Sequence, residues 1–213
     1  MSDKKEDQDS MSIFCDGACK GNGQKGAVGG WAFAYWTGKA YGEPATAGAD
    51  RLEIGPKGEV PTNQRAELKA LLEAVKFALQ LDLMGVTATI YTDSLYAMNC
   101  ASKWGPSWKK AGWTRSSGEP LLNLDLVKPL VDLWNSKIKL QHVRGHQTNC
   151  SPEAAGNNWV DRAAVAGSQG VRLEASMVTV QTTVLVKSTV LESELEFKPV
   201  RVVGQADIRS WFS

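Results

Sequence analysis

The chain has 213 residues, with 24 Lys plus Arg against 23 Asp plus Glu, a formal charge of +1 and 43% hydrophobic residues. That length holds one full core with an appendage, and the apolar content excludes a wholly disordered chain. No apolar run approaches the roughly 18 residues of a membrane helix, the opening MSDKKEDQDS lacks a signal peptide's apolar stretch, and Cys15, Cys19, Cys100 and Cys150 form no CxxC pair, so the expectation is a soluble intracellular protein with free thiols.

Residues 1–10 are charged and aperiodic, and read as a disordered arm. Ile13, Phe14, Cys15 and Asp16 form a short strand that ends at Gly17. A glycine-rich loop over 21–26 leads to a second strand over 28–37, and a third lies within 40–54, giving an antiparallel meander. Thr62 or Asn63 caps a helix in which Leu68, Leu71, Leu72, Val75, Ala78 and Leu79 recur at helical spacing, and Gly85 stops it. A strand over 86–92 precedes a short helix over 94–102, after which a strip with Trp104, Trp108 and Trp113 interrupts. Residues 121–134 read as helix with a kink at Pro129, 138–143 as strand, and 157–166 as a helix burying Val160, Ala163 and Ala164. The order βββ-α-β-α-α-β-α predicts one mixed sheet with helices against it, in a domain spanning 11–170. Beyond it, 177–186 and 194–203 are rich in Val and Thr and suggest a two-strand, β-rich extension over 171–203.

A balance of +1 argues against a nucleic-acid partner until it is resolved along the chain. Residues 1–10 are net acidic, whereas 94–118 carry Lys103, Lys109, Lys110 and Arg115 with no acid. The neutral total conceals a basic strip interleaved with tryptophan.

Four carboxylates stand where core building has little use for them. Asp16 and Asp93 each end a hydrophobic strand; if those strands are adjacent and parallel, both acids lie at carboxyl ends, where sites form in open α/β sheets. Glu67 and Asp161 flank the buried faces of their helices, beside Leu68 and Val160. Like charges this close raise one another's pKa values unless a cation intervenes. Oxygen-only ligands favour Mg²⁺ or Mn²⁺, and a pair of such ions roughly 4 Å apart suits in-line phosphoryl displacement.

These residues stand in Asp16-Gly17, Thr62-Asn63-Gln64-Arg65-Ala66-Glu67, Thr92-Asp93-Ser94, Val143-Arg144-Gly145-His146 and Gly156-Asn157-x-x-Val160-Asp161-Arg162-Ala163. In that order the chain resembles type 1 ribonuclease H over residues 11–168. The resemblance implies an α/β fold with a five-stranded mixed sheet flanked by helices. The implied activity is endonucleolytic cleavage of the RNA strand of RNA/DNA hybrids with two Mg²⁺ ions, Mn²⁺ being an alternative. Asp16, Glu67, Asp93 and Asp161 would be the metal ligands. His146 would assist proton transfer or product release; a zinc pair with His142 is disfavoured because Gly145 breaks any helix there. The sequence departs from the family's Gly-His-x-Gly at Gln147 and Thr148, which bears on product release.

By the same resemblance, Cys19, Asn22, Asn63 and Gln64 would read the ribose strand, although Asn22-Gly23 by itself reads as a turn. Trp104, Trp108, Lys109 and Lys110 match the basic protrusion of cellular members, which meets the DNA strand. Thr62 and Asn123 resemble a DNA-phosphate pocket whose usual arginine is replaced by Val60.

Gln205, Ile208, Trp211 and Phe212 are spaced as in the peptide by which replication proteins bind the sliding clamp PCNA, and one helical turn places the last three on one face. The alternative is that these aromatics fold back on the extension. The expectation is a monomer tethered by residues 204–213 at sites of DNA replication, with a catalytically weak hybrid-binding or clamp adaptor module as the competing reading.

Overall fold

Strand β1 (Met11–Lys20) is the middle of the fold: it pairs antiparallel with β2 (Val28–Trp36) on one side and parallel with β4 (Ala88–Thr92) on the other. The structure, a computed structural model, describes residues 11–40, 42–115, 117–135, 137–174, 177–179, 195–197 and 201–203. The arm at 1–10 and the motif residues Gln205, Ile208, Trp211 and Phe212 lie outside the described residues.

β3 (Thr46–Arg51) continues the meander beside β2, and β5 (Lys139–His142) adds parallel to β4. Those five strands are the ones expected, and β6 (Arg172–Glu174) extends the sheet beyond β3. In the extension, β7 (Met177–Thr179) pairs antiparallel with β8 (Leu195–Phe197), while β9 (Arg201–Val203) pairs with β6. The sheet order is β5-β4-β1-β2-β3-β6-β9. Part of the second Val-rich run thus joins the main sheet instead of a separate hairpin.

Because side chains alternate along a strand, β1 feeds two cores. Ile13 and Cys15 join Leu68, Leu71 and Val75 of α1 (Asn63–Leu83) and Val127 and Leu130 of α4 (Leu124–Leu133). Phe14 points the other way, among Trp36, Trp159, Val160 and Ala163 under α5 (Pro152–Ser168). Each fully buried side chain of this size contributes roughly 1.5–3 kcal/mol relative to exposure.

Helix boundaries differ from expectation where capping decides them. Thr62 caps α1, its Oγ1 accepting from Arg65 N at 3.1 Å. Helix α5 starts at Pro152, five residues before the expected Asn157: Ser151 Oγ accepts from Ala154 N, and Pro152 sits where no N–H is needed. The tryptophan strip, expected as an interruption, is helical as far as Lys110: α2 (Leu95–Asn99) passes through a π-helical turn, Cys100–Trp104, into α3 (Gly105–Lys110), and only Trp113 lies beyond it. Among the described residues no helix is long and apolar enough to cross a membrane.

Candidate active site

The parallel register Ser12 with Thr89 and Phe14 with Tyr91, continued two residues, brings Asp16 opposite Asp93. The expected neighbourhood of the two strands is therefore present, with one difference. Asp16 is not at a strand end, because β1 runs on to Lys20 against β2; it sits where β4 stops. Following the pleat, Asp16 shares the α5 side with Phe14, which brings Asp161 of α5 towards it.

Glu67 reaches the cluster because β1 passes directly over α1. A Cβ on Gly17 would lie 2.2 Å from the Ala66 carbonyl carbon and 2.3 Å from Glu67 N, so only glycine permits this approach. Ser94 Oγ then donates to Glu67 Oε2 at 2.6 Å while accepting from Ala97 N as the cap of α2. Asp16 Oδ1 accepts from Gly17 N at 2.7 Å. Asn157, 2% exposed, lies against Asp93: its Nδ2 donates to Asp93 Oδ2 at 3.4 Å. Over Asp93 runs the 144–149 loop, which approaches so closely that a Cβ on Gly145 would meet Asp93 Oδ2 at 2.4 Å.

His146 follows in the left-handed region at φ 49°, its Nδ1 3.9 Å from Asp161 Oδ2 and its ring exposed. His142 Nε2 instead lies 3.1 Å from the Asp93 carbonyl oxygen, so the two histidines serve different partners. The loop after His146 is tied to α5 by Asn158 Nδ2, which donates to the Gln147 backbone carbonyl at 2.9 Å.

On the other side of the cluster, Asn22 Oδ1 accepts from Asn63 N at 2.9 Å, docking the glycine-rich loop on the start of α1, and Asn63 and Gln64 are exposed there. Cys19 is partly exposed at the end of β1. Gln64, Tyr96, Trp104, Trp108, Arg115 and Leu121 line a groove of about 470 Å³. Trp104 faces Trp108 at 6.0 Å and Tyr96 at 6.2 Å. Trp113 packs against the core, as does one side of Trp108. Lys110 is exposed, whereas Lys109 Nζ donates to Asp132 Oδ1 at 2.6 Å, an acid that the local charge count does not include. Thr62 is taken up as helix cap, and Asn123 Nδ2 donates to the Tyr96 hydroxyl at 3.1 Å. Val60 is 38% exposed.

Ser94, Asn157 and Tyr96 were not singled out from sequence as site residues. Ser94 and Asn157 lie within the quoted motifs, but nothing in them shows which polar side chains turn inward. Tyr96 carries no local signal at all.

The RNase H family model matches residues 8–169. The chain belongs to the RNase H family. The ribonuclease H of Prochlorococcus marinus (strain NATL2A) is 36% identical over 176 residues, covering 80% of this chain and 94% of that protein. That of Schizosaccharomyces pombe is 32% identical over 161 residues, 75% of this chain and 53% of the other. Among solved structures, the PFV RNase H domain superposes with a TM-score of 0.61 at 26% identity, covering 76% of this chain and 96% of that one. The prototype foamy virus protease-reverse transcriptase gives 0.60 at 28% identity, over 76% of this chain and 21% of that one.

RNase H family members use divalent metal ions, and the donor chemistry of this cluster fits such a cation. Burial, reinforced by the charges of Asp93, Asp161 and Glu67, pushes the Asp16 carboxyl up to about 8. Burial raises Glu67 as well, opposed by the Ser94 hydrogen bond. The acids repel one another across a half-buried space, and among the described residues no three His, Cys, Asp or Glu side chains already converge as an ion cage. A cation shared among them would relieve that repulsion.

A carboxyl held above its unfolded value keeps, in the folded chain, a proton that the unfolded chain has released. Folded stability therefore falls as pH rises from the ordinary aspartate range towards the raised value. In EDTA, the melting temperature of this RNase H family member is expected to decline between about pH 5 and pH 8, and Asp16→Asn is expected to flatten the decline, adding on the order of 1–3 kcal/mol at the upper end. Thermal melts across pH check this; parallel profiles for the two proteins would contradict it.

Proposed function

We propose that the chain cleaves the RNA strand of RNA/DNA hybrids endonucleolytically, with Asp16, Glu67, Asp93 and Asp161 holding the divalent metal. The observation that carries this reading is the placement of Asp16 opposite Asp93, which directly follows β4, with Glu67 of α1 brought in by the close β1–α1 approach and Asp161 of α5 on the same side of the sheet, in a chain of this family. Two Mg²⁺ or Mn²⁺ ions, when bound there, would supply Lewis-acid stabilisation of the attacking and leaving oxygens of phosphodiester hydrolysis. Ser94 holds Glu67 in its rotamer and Asn157 orients Asp93. His146, exposed beside Asp161, exchanges a proton with the leaving side of the reaction and with solvent.

Asn22, Asn63, Gln64 and Cys19 line the side on which a ribose strand would lie, with 2′-hydroxyl recognition as their task. Trp104, Trp108 and Tyr96 offer flat apolar surfaces to deoxyribose, and Lys110 supplies phosphate attraction, with Arg115 held 3.5 Å from Glu119 beside it. Lys109, paired with Asp132, contributes less until a phosphate displaces that acid. Thr62 and Asn123 contact DNA phosphate without the arginine found elsewhere in the family.

Incubation of a labelled RNA/DNA hybrid, a duplex RNA and a duplex DNA with Mg²⁺ or Mn²⁺ tests the reading. Cleavage confined to the RNA of the hybrid, leaving 5′-phosphates, is the expected result. Folded protein that binds hybrid without cutting it under either metal would favour the hybrid-binding module instead.

The spacing of Gln205, Ile208, Trp211 and Phe212 supports a further element, tethering to a PCNA-type clamp, which would raise the local concentration of enzyme at replication forks. Removal of residues 205–213 is expected to leave cleavage of free oligonucleotides unchanged and to abolish clamp binding in a pull-down or calorimetric titration. Unchanged clamp affinity would refute this element and leave the catalytic reading intact.

A further inference from the structure

Arg65 lies in the first turn of α1, between the exposed Asn63-Gln64 pair and Glu67, yet only 2% of it is exposed. Its guanidinium forms a two-pronged pair with Asp125 of α4, Nη1 donating to Oδ1 at 2.9 Å and Nη2 to Oδ2 at 2.6 Å. Nη1 also reaches Asn123 Oδ1 at 3.4 Å, and the same Asn123 donates from Nδ2 to the Tyr96 hydroxyl. Asn123 holds this double engagement from a left-handed backbone, φ 57°, at the entry to α4.

A buried ion pair is a weak source of net stability: desolvation offsets most of its attraction, and a well-packed apolar pair of similar volume is often as good. What the two-pronged geometry supplies is fixed distance and orientation. Here it links two surfaces. One is the Asn22 and Asn63 surface, which meets the groove at Gln64 and is pinned from its other side by the hydrogen bond that Asn63 N donates to Asn22 Oδ1. The other is the groove wall formed by Tyr96 and Trp104, reached through Asn123.

We propose that Arg65 and Asp125 are positioning residues that set the separation between the ribose-reading surface and the DNA groove, so that both strands of a hybrid are gripped together. This rests on the hybrid-cleavage reading, and it assigns to the buried pair a role in substrate grip instead of in the chemical step. Neither residue touches substrate; both act through Asn63, Gln64, Asn123 and Tyr96. The consequence is a split in kinetic parameters. Loosening the strut weakens the simultaneous grip and leaves the carboxylate cluster, held independently by Gly17, Ser94 and Asn157, in place.

The test uses the full chain with both partners replaced, Arg65→Met with Asp125→Leu, so that no buried charge is left alone. Arg65→Lys serves as the conservative variant, keeping the charge but not the fork. Steady-state cleavage of a hybrid and fluorescence anisotropy of the same hybrid in EDTA are read together with a thermal melt. The double variant is expected to melt within a few degrees of the parent, with KM and the EDTA dissociation constant raised about tenfold, kcat within about threefold, and Arg65→Lys intermediate. A folded double variant with unchanged KM and affinity overturns the proposal, as does a loss confined to kcat. A double variant that fails to fold also overturns it, because the pair would then be structural. Binding in EDTA separates this proposal from the hybrid-cleavage reading: a parent that binds hybrid without cutting it refutes the cleavage and still reports on the strut, and a parent that does not bind hybrid refutes both.

Discussion

Asp93→Asn is expected to reduce divalent-dependent cleavage of an RNA/DNA hybrid on the order of 10³-fold or more, while hybrid affinity stays within a few-fold of the parent. The substitution is nearly isosteric, and the site demands that. Gly145 presses on Asp93 Oδ2 from one side and Asn157 donates to the same oxygen from another, so a larger change would displace the 144–149 loop as well as the charge. What asparagine removes is the anionic donor facing Asp16. Single-turnover cleavage and anisotropy on one hybrid separate chemistry from binding. Full activity in the variant would sink the carboxylate assignment, and a parallel loss of binding would move Asp93 from chemistry to substrate grip.

The second large effect is expected from a methyl group. Gly17→Ala places a carbon 2.2 Å from the backbone of Ala66, and the clash cannot be relieved by turning a side chain because the atoms it meets belong to α1 itself. Either β1 or α1 must shift. Overpacking of this kind costs about 3 kcal/mol, at the upper part of the usual range, and a displacement of Glu67 by roughly 1 Å can cost on the order of 10²-fold in rate. Urea melts and hybrid cleavage measure the two consequences. Gly38→Ala, where an added Cβ meets nothing within 4 Å, is the control and is expected to be neutral. Parent-like stability and rate in Gly17→Ala would mean that the β1–α1 approach is not what brings Glu67 to the cluster.

Much of the fold was legible because it is written in periodicity. The short apolar run Ile13-Phe14-Cys15 suits a strand buried on both faces, and the Leu68, Leu71, Leu72, Val75 stripe suits a helix buried on one, so the central strands and α1 follow. In the tryptophan strip Gly105 and Pro106 signal a break in sequence, yet a proline in the first turn of a helix loses no hydrogen bond that the helix needs. The start of α5 was missed for the related reason that Ser151-Pro152 is a cap, not a loop. Beyond Glu174, short Val-rich runs do not specify their own pairing, and β9 extends the main sheet because β6 leaves it an edge.

For the site, local sequence specifies the residue types and their settings: four acids beside buried faces, a histidine after a glycine, a run of amide side chains at a helix start, and tryptophans among lysines. Spacing along the chain carries that much, since each acid's own element fixes whether it lies near a buried surface. Which of them meet depends on how the elements pack. The parallel β1–β4 register sets Asp16 opposite Asp93, Gly17 admits Glu67, and Ser94 and Asn157 turn inward to hold two of the acids. Asp132 neutralises Lys109 from 23 residues away, and Arg65 disappears into a pair with Asp125 that joins two binding surfaces. The physical reason is common to all of these: a hydrogen bond or a like-charge repulsion depends on separation in space, and that is set by packing between elements whose sequence distance carries no trace of it.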